Sequence, residues 1–332
     1  MKRFLKITTF LCIIIFILSN GVFAVESNDI SNEEIYEKLN EYAEDIEIFD
    51  EFLVEDTEFV VQRKDSDELE KVTFNELQEK NKLKYNKVVT ETSYYKPNIR
   101  ESMRDNFTQL LSEDPSTNLF MRLSPKEYRL CRLTINGGLN SGTGFLVGPK
   151  LLLTAAHCIY DENNNIMPVV FYPAYDNGSS HNGKSSGWQT IYSYPAWRDN
   201  HENRAYDLAL IELDWNMGDE FGWFGSQSYG TNPEMNGLSI KEYGFPKLVG
   251  NAKSQYYTQG SIQNTNDTYF HTTAVNYEGM SGGPILRSSD NYAVGLVSAL
   301  IRNRNIFGNV TSFETYGRRI TQDIIELINS YN

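Results

Sequence analysis

The sequence is poor in the residues that most often bind metals. Its 332 residues contain three cysteines and four histidines. The histidines lack the i, i+4 spacing of a helical metal site, and Cys12 falls in an apolar N-terminal segment. The remaining pair, Cys131 and Cys158, is too small for a zinc site built from thiolates alone. We therefore expect neither a metal nor any other cofactor.

A long apolar run is also missing. No stretch reaches the roughly 20 apolar residues that a membrane-spanning helix needs. Residues 1–24 instead combine three basic residues, a short apolar stretch from Phe10 to Leu18 and the small-residue ending Val22-Phe23-Ala24. This combination is typical of a secretory signal peptide. We expect its removal on export, an extracellular location for the protein, and no membrane contact afterwards.

Basic runs are absent, which argues against nucleic-acid binding. The formal net charge is −14 at pH 7, and it is unevenly distributed. Val25–Asn98 contains 21 acidic and 9 basic residues, whereas Ile99–Asn332 contains 23 and 18. The acidity is therefore concentrated in a segment that precedes the main body of the chain.

That acidic segment contains a helical pattern beginning at Ser31-Asn32-Glu33-Glu34. Its apolar residues at helical spacing are Ile35, Leu39, Tyr42, Ile46 and Phe49. A solvated amphipathic helix is the simplest interpretation. We favour a propeptide over residues 25–100, because the segment lies between a signal peptide and a set of catalytic motifs. Its C-terminal boundary falls within 95–126, where the candidate processing sites are Arg100, Arg104, Arg122 and Lys126.

From Tyr128 onward, short apolar runs alternate with Gly, Asn, Asp, Ser and Pro. This spacing predicts an all-β barrel or sandwich. The first strands are expected at Arg129–Ile135, Thr143–Val147 and Leu151–Thr154. A helix closes the chain, with Ile320, Ile324, Leu327 and Ile328 on one face.

Three segments carry residues suited to nucleophilic catalysis. The turn Gly279-Met280-Ser281-Gly282-Gly283-Pro284 presents one serine among small residues, and a serine needs a base, an orienting acid and an oxyanion site to react. His157 follows the apolar run that ends at Thr154, and Asp207 precedes another at Leu208–Leu213. A lone histidine is more often structural, and an aspartate beside a strand is more often a cap. Their occurrence together, in the order His, Asp, Ser, favours a catalytic triad.

In the segments Thr154–Cys158, Asp207–Leu213 and Gly279–Pro284 the chain resembles the chymotrypsin-like (PA clan) secreted bacterial serine proteases, and among them the V8-type glutamyl endopeptidases. The resemblance extends from about Tyr128 to the C-terminus. It implies an all-β protease domain over residues 101–332, with two six-stranded antiparallel β-barrels of the chymotrypsin/trypsin type and a C-terminal helix. A partly helical acidic propeptide precedes this domain.

The resemblance also implies roles for individual residues. His157 is the general base, Asp207 orients it, and Ser281 is the nucleophile. The backbone N–H groups of Gly279 and Ser281 form the oxyanion hole. The family often has asparagine before the serine and serine two residues after it, where this chain has methionine and glycine.

The substrate pocket is implied less completely. By resemblance, Ser298 binds the triad aspartate on a strand whose backbone pairs with substrate, and Gly308 lies on the opposite pocket wall. Val275 stands where trypsin-like enzymes have a carboxylate, which argues against a preference for Arg or Lys. Asn276 and Val297 stand where glutamyl endopeptidases have a hydroxyl residue and a histidine, so a preference for Glu is not predicted either.

Cys131 and Cys158 form an even pair in a protein bound for an oxidising compartment. Family members often have a disulfide beside the catalytic histidine. Two alternatives remain open from the sequence, a Cys131–Cys158 bridge or two buried thiols.

Together these features predict a secreted serine endopeptidase that hydrolyses peptide bonds through an acyl-enzyme and is made as a precursor. Its expected partners are a protein or peptide substrate and, as a further candidate, an activating protease, and we expect a monomer. The alternative is a protease-fold binding module or toxin in which the triad is gated or unused.

Overall fold

The structure is a computed structural model that describes residues 32–44, 58–66, 68–73, 76, 92–94, 121–229, 234–304 and 310–331. Two antiparallel sheets, here called sheet 1 and sheet 2, make up most of it. The predicted all-β, chymotrypsin-like fold with a C-terminal helix is confirmed. The signal peptide, Ile46, Phe49, Arg100 and Arg104 lie outside the described residues.

Sheet 1 contains six strands of the protease domain. They are β5 (Leu130–Ile135), β6 (Asn140–Leu146), β7 (Leu151–Thr154), β8 (Val169–Pro173), β9 (Trp188–Ser193) and β10 (Ala209–Leu213). They pair in the order β9-β10-β7-β6-β5-β8. Hydrogen bonds between Phe171 and Ser186 link β8 to the segment just before β9.

Two further strands extend this sheet, and they come from the acidic leader, residues 25–100. The strands β1 (Glu58–Arg63) and β2 (Leu69–Thr73) form a hairpin, and β1 pairs antiparallel with β9. Phe59 and Val61 of β1 are 1% exposed and belong to the core of sheet 1. Part of the leader is therefore integrated into the domain rather than solvated.

Sheet 2 is a closed six-stranded barrel. Its strands are β12 (Ser239–Gly244), β13 (Tyr256–Gln263), β14 (Tyr269–Thr272), β15 (Pro284–Arg287), β16 (Ala293–Arg304) and β17 (Val310–Arg319). The order is β12-β15-β16-β17-β14-β13, and pairing of β12 with β13 closes the barrel. The short strand β4 (Arg122–Leu123) adds to β13, and β3 (Ser93–Tyr94) pairs with β11 (Gly222–Trp223).

The described residues contain four helices, α1 (Asn32–Tyr42), α2 (Pro195–Asp199), α3 (Met217–Phe221) and α4 (Gln322–Asn329). Ile324, Leu327 and Ile328 of α4 are fully buried against the core of sheet 1, as the apolar spacing requires. No helix in these described ranges is long and apolar enough to cross a membrane.

Cys131 and Cys158 are free, buried thiols, so the disulfide alternative is wrong. Each has another neighbour. The Cys131 thiol contacts the Met217 sulfur at 3.7 Å, and the Cys158 thiol lies 3.7 Å from the Ser281 carbonyl oxygen. The cysteine beside the histidine therefore packs against the serine turn.

Candidate active site

His157 lies where β7 gives way to a short 3-10 turn, Ala156–Cys158. Ala155 and Ala156 are fully buried, so small side chains allow the chain to turn sharply beneath sheet 1. The hydroxyl of Thr154 donates to the carbonyl of Thr143 at 2.8 Å and fixes the end of the strand. The imidazole keeps 29% of its side-chain surface exposed, so it faces a cleft between the two sheets.

Asp207 lies two residues before β10 and is fully buried. Its Oδ1 accepts the backbone N–H of His157 at 2.9 Å, and its Oδ2 lies 2.7 Å from His157 Nδ1. The hydroxyl of Ser298, on β16, donates to Oδ2 at 2.5 Å. Because the carboxylate accepts at Nδ1, the neutral imidazole carries its proton there and leaves Nε2 as the free base.

Charge and burial act in opposite directions on this pair. Burial raises the pKa of Asp207. The charge and hydrogen bond of His157 lower that pKa by more than burial raises it, so the net pKa lies well below the usual range. Burial lowers the pKa of His157, because it disfavours the charged imidazolium. The Asp207 carboxylate raises that pKa by more, so the net pKa is raised. The arrangement therefore stabilises the imidazolium that forms when the base takes a proton.

Ser281 occupies a glycine turn held between the sheets. Gly279 has φ +94° and Gly282 has φ +80°, a region that glycine adopts without strain. A Cβ at position 282 would collide with Thr154 Oγ1. The Ser281 carbonyl accepts from the backbone of Thr143 at 2.8 Å, which ties the turn to β6.

The backbone N–H groups of the Ser281 turn differ in whether they have a backbone acceptor among the described residues. The N–H groups of Met280, Gly282 and Gly283 donate to backbone carbonyls at 2.7–2.9 Å. In the part of the chain that the structure describes, those of Gly279 and Ser281 have no backbone acceptor. These are the two N–H groups that an oxyanion hole at Ser281 would use.

The Ser281 hydroxyl is engaged by the leader. Its Oγ lies 3.2 Å from the hydroxyl of Tyr42, the last residue of α1. Among the described residues, Tyr42 is the hydrogen-bond partner of the Ser281 hydroxyl. No hydrogen bond joins that hydroxyl to His157 in this part of the chain, where the His157 ring is bonded to Asp207. The sequence pattern identified Tyr42 only as one apolar-face residue of a helix, and no local signal pointed to its contact with the serine.

Residues next to Tyr42 fix the leader in the cleft. Leu39 and Ala43 are 1% and 3% exposed and pack in one cluster with Val275 and Leu300. The N–H of Glu44 donates to the Leu300 carbonyl at 2.7 Å, and its carbonyl accepts from the backbone of Arg302 at 3.2 Å. The leader thus pairs with β16 as a short parallel bridge.

Arg204 is a second residue that sequence reasoning missed. It lies in the 3-10 turn Arg204–Tyr206, three residues before Asp207. Its guanidinium binds the Glu44 carboxylate through Nη2 at 2.6 Å and Nε at 3.1 Å. Its Nη1 lies 3.4 Å from His157 Nδ1 and 3.5 Å from Asp207 Oδ2.

The predicted pocket residues fall into different surroundings. Asn276 is fully buried, and its amide donates to the Ala299 carbonyl at 2.8 Å and to Thr315 Oγ1 at 3.0 Å. Val297 lies in the core of the sheet 2 barrel with Ile240, so it is a packing residue. Val275 packs with the leader cluster, and Gly308 lies outside the described residues.

Within the described ranges, no group of three or more His, Cys, Asp or Glu side chains is placed to hold a metal ion. His271, on β14, pairs instead with Glu314, with 3.3 Å between Nδ1 and Oε2.

The chain is similar to several known peptidases. A family model described as a trypsin-like peptidase domain matches residues 142–296. A glutamyl endopeptidase of Bacillus licheniformis is 30% identical over 204 residues, which is 59% of this chain and 61% of that protein. An extracellular metalloprotease of Bacillus subtilis is 29% identical over 188 residues, 56% of each. The chain thus spans less than two thirds of the length of these relatives.

Two solved structures share the fold. A Glu endopeptidase in complex with MPD superposes with a TM-score of 0.53 at 22% identity, covering 64% of this chain and 96% of that one. The protease Anisep from Arthrobacter nicotinovorans gives 0.51 at 22% identity, covering 64% and 97%. At these identities the likeness concerns the fold alone.

Proposed function

The chain resembles the chymotrypsin-like bacterial serine proteases of the V8 type, and we propose that it is a secreted serine endopeptidase made as an inactive precursor. One observation carries the proposal. The buried Asp207 accepts from both the backbone and the ring of His157, and within the described residues the N–H groups of Gly279 and Ser281 have no backbone acceptor. Such an arrangement of base, orienting acid and backbone donors is the one that acyl transfer requires.

In the proposed mechanism, Ser281 Oγ attacks the carbonyl carbon of a peptide bond while His157 Nε2 takes the hydroxyl proton. The N–H groups of Gly279 and Ser281 donate to the developing oxyanion. The imidazolium then protonates the leaving amine, which departs from the acyl-enzyme. Water, deprotonated by the same imidazole, attacks the ester carbonyl and releases the acid and the free serine. Asp207 holds the imidazole in place throughout.

We assign residues 1–24 to a signal peptide, 25–100 to an inhibitory propeptide and 101–332 to the protease domain, which acts as a monomer on protein or peptide substrates. The leader contacts support inhibition. Tyr42 bonds to the nucleophile, and Glu44 pairs with β16, where a substrate backbone would pair. Removal of the leader, by the enzyme itself or by an activating protease, frees Ser281 to approach His157.

Labelling with a fluorophosphonate probe tests the proposal. The secreted full chain should label slowly while the leader is attached and rapidly after processing, and Ser281→Ala should abolish labelling. Processed wild-type protein that fails to label, with its fold intact by circular dichroism, would contradict the enzyme assignment. It would then support a binding module whose triad is unused.

A further inference from the structure

Arg204 places a mostly buried positive charge on the histidine side of the cleft. Its side chain is 16% exposed. The guanidinium lies 5.6 Å from the centre of the Trp197 ring, and its Nη1 edge faces His157 and Asp207. These contacts fix the orientation of the group, because the 3-10 turn that carries Arg204 leads directly into Asp207.

The other edge of the guanidinium already holds a carboxylate. Nε and Nη2 of Arg204 donate to the two oxygens of Glu44 at 3.1 and 2.6 Å, the paired geometry that matches a planar carboxylate. The charged form of Arg204 is favoured overall: burial lowers its pKa, and the nearby Asp207 and Glu44 raise it by more. The Arg204 side chain is 16% exposed and that of Glu44 is 42% exposed, so a fixed, mostly buried guanidinium binds a carboxylate at the open edge of the cleft.

Glu44 reaches this guanidinium from a substrate-like position. The backbone of Glu44 hydrogen-bonds to Leu300 and Arg302 of β16, on the serine side of the cleft. Its side chain then crosses toward the histidine side. A bound chain that pairs with the same strand can direct a side chain of similar length to Arg204.

Departure of the leader would leave this guanidinium without Glu44. Asp207 lies 3.5 Å from Nη1, and its oxygens already serve His157 and Ser298. Asp207 would remain as a counter-charge, but Nε and Nη2 of Arg204 would lose the acceptor that Glu44 supplies. Donors that lose their partner are costly to leave unpaired, so a carboxylate supplied by substrate would be bound in place of Glu44.

We propose that Arg204 forms a carboxylate-binding subsite, and that the enzyme prefers substrates with an acidic side chain at one position beside the residue whose carbonyl is attacked. The inference rests on the proposed function. The subsite is separate from Val275 and Asn276, where the resemblance places the primary pocket, because Arg204 contacts the His157–Asp207 edge. Glu44 of the leader occupies the subsite until processing.

The test uses protein secreted as the full chain and then processed. Fluorophosphonate labelling of Ser281 first establishes whether the enzyme is active. Starting from one peptide that the processed protein cleaves, Glu and Gln are exchanged at each position around the cleaved bond, and kcat/KM is measured. We expect one position, other than the residue that donates the attacked carbonyl, to favour Glu by roughly 10- to 100-fold.

Variants assign the preference to its residue. Arg204→Gln should abolish the preference for Glu, and Arg204→Lys should keep part of it, because the charge remains but the paired geometry is lost. The control is Arg132→Gln, since the guanidinium of Arg132 donates to the Ala252 carbonyl and to the Thr134 hydroxyl, and the variant removes one positive charge in the same way. A wild-type enzyme without any such preference, or a preference that survives in Arg204→Gln, would overturn the proposal.

A binding measurement distinguishes the absence of the Arg204 subsite from a failure of the proposed function. Processed Ser281→Ala protein, which cannot cleave, is titrated with the fluorescent Glu and Gln peptides. The Glu peptide should bind on the order of ten times more tightly, and Arg204→Gln in the same background should equalise the two. Equal binding by the Ser281→Ala protein itself would refute the subsite even if labelling showed no activity.

Discussion

The hydroxyl of Tyr42 lies 3.2 Å from Oγ of Ser281, across 239 residues of chain. Burial is the largest influence on Tyr42 and raises its pKa, so the phenol stays neutral and acts as a hydrogen-bond partner rather than a charge. A second link, between Glu44 and Arg204, lies two residues further along the leader. Together they join the leader to both sides of the same cleft.

The first prediction concerns the contact between Tyr42 and Ser281. In the full, unprocessed chain, Tyr42→Phe should raise the rate of fluorophosphonate labelling about 2- to 10-fold, because one hydrogen bond is worth about 0.5–1.5 kcal/mol. Tyr42→Ala should raise it further, since the ring no longer covers the serine. The matched control is Tyr160→Phe, because Tyr160 makes a 3.2 Å bond to Ser193 Oγ away from the cleft. Unchanged labelling in Tyr42→Ala would contradict inhibition by this residue.

The second prediction concerns the pH dependence of the processed enzyme. The general base must be neutral, so activity falls as the pH drops through the pKa of His157. Asp207 raises that pKa, and the acid limb of kcat/KM should therefore have its midpoint above pH 6.5.

Asp207→Asn should move this limb to lower pH and reduce kcat about 10⁴-fold, because the tautomer is no longer fixed. Asp199→Asn, on the exposed end of α2, supplies the control for loss of one carboxylate. A limb that stays at the same pH in Asp207→Asn would show that Asp207 does not set the basicity of His157.

The third prediction separates a donor effect from backbone strain. Gly279→Ala should lower kcat about 10²- to 10³-fold, because the new Cβ meets the Phe245 carbonyl oxygen and displaces the N–H aimed at the oxyanion. Gly237 offers a matched control, with φ +86° and no atom within 4 Å of the added Cβ. Gly237→Ala should cost some thermal stability and leave kcat unchanged. Equal losses of kcat in both variants would point to strain alone.

The sequence allowed the catalytic motifs to be located because each signal is local. His157 follows a buried strand, Asp207 precedes one, and Ser281 lies in a turn whose glycines are needed for backbone conformation. Strand Leu151–Thr154 was predicted to the residue, and the other two predicted strands agree to within three residues at either end.

The contacts of the leader had no such signal. Tyr42 and Glu44 meet Ser281 and Arg204 at separations of 239 and 160 residues, and helical periodicity does not reveal which surface covers an apolar face. The hairpin of the leader was also missed. Its strands pair with each other, and β1 gains a second partner, β9, only in sheet 1.

The surroundings of Val297 depend on tertiary packing. Ser298 donates to Asp207 in the cleft, whereas Val297 packs in the barrel core with Ile240. The pairing register of β16 with β17 shifts between Val297 and Ala299, so simple strand alternation does not predict which side chain faces the cleft.

The last prediction concerns Glu242, a fully buried glutamate inside the sheet 2 barrel. Burial raises its pKa to about 7, although the hydroxyls of Thr272 and Thr315 donate to its two oxygens at 2.6 and 2.8 Å. In the unfolded chain the ordinary value is 4.5. Between these two pH values the carboxyl of Glu242 therefore stays protonated in the folded state and is ionised in the unfolded state.

The sign of the effect follows from linkage. The contribution of Glu242 to the free energy of unfolding is most favourable below pH 4.5. It decreases as the pH rises toward 7 and is constant above that, and the total loss of stability is up to about 3 kcal/mol. Glu242→Gln removes the titration, and one threonine hydroxyl can accept from the new amide. In a Ser281→Ala background, which prevents self-digestion, urea unfolding from pH 4.5 to 8 should show a smaller loss of stability for this variant. Glu278→Gln, on the surface, controls for the lost charge, and a wild-type decline that persists in Glu242→Gln would assign the titration to another group.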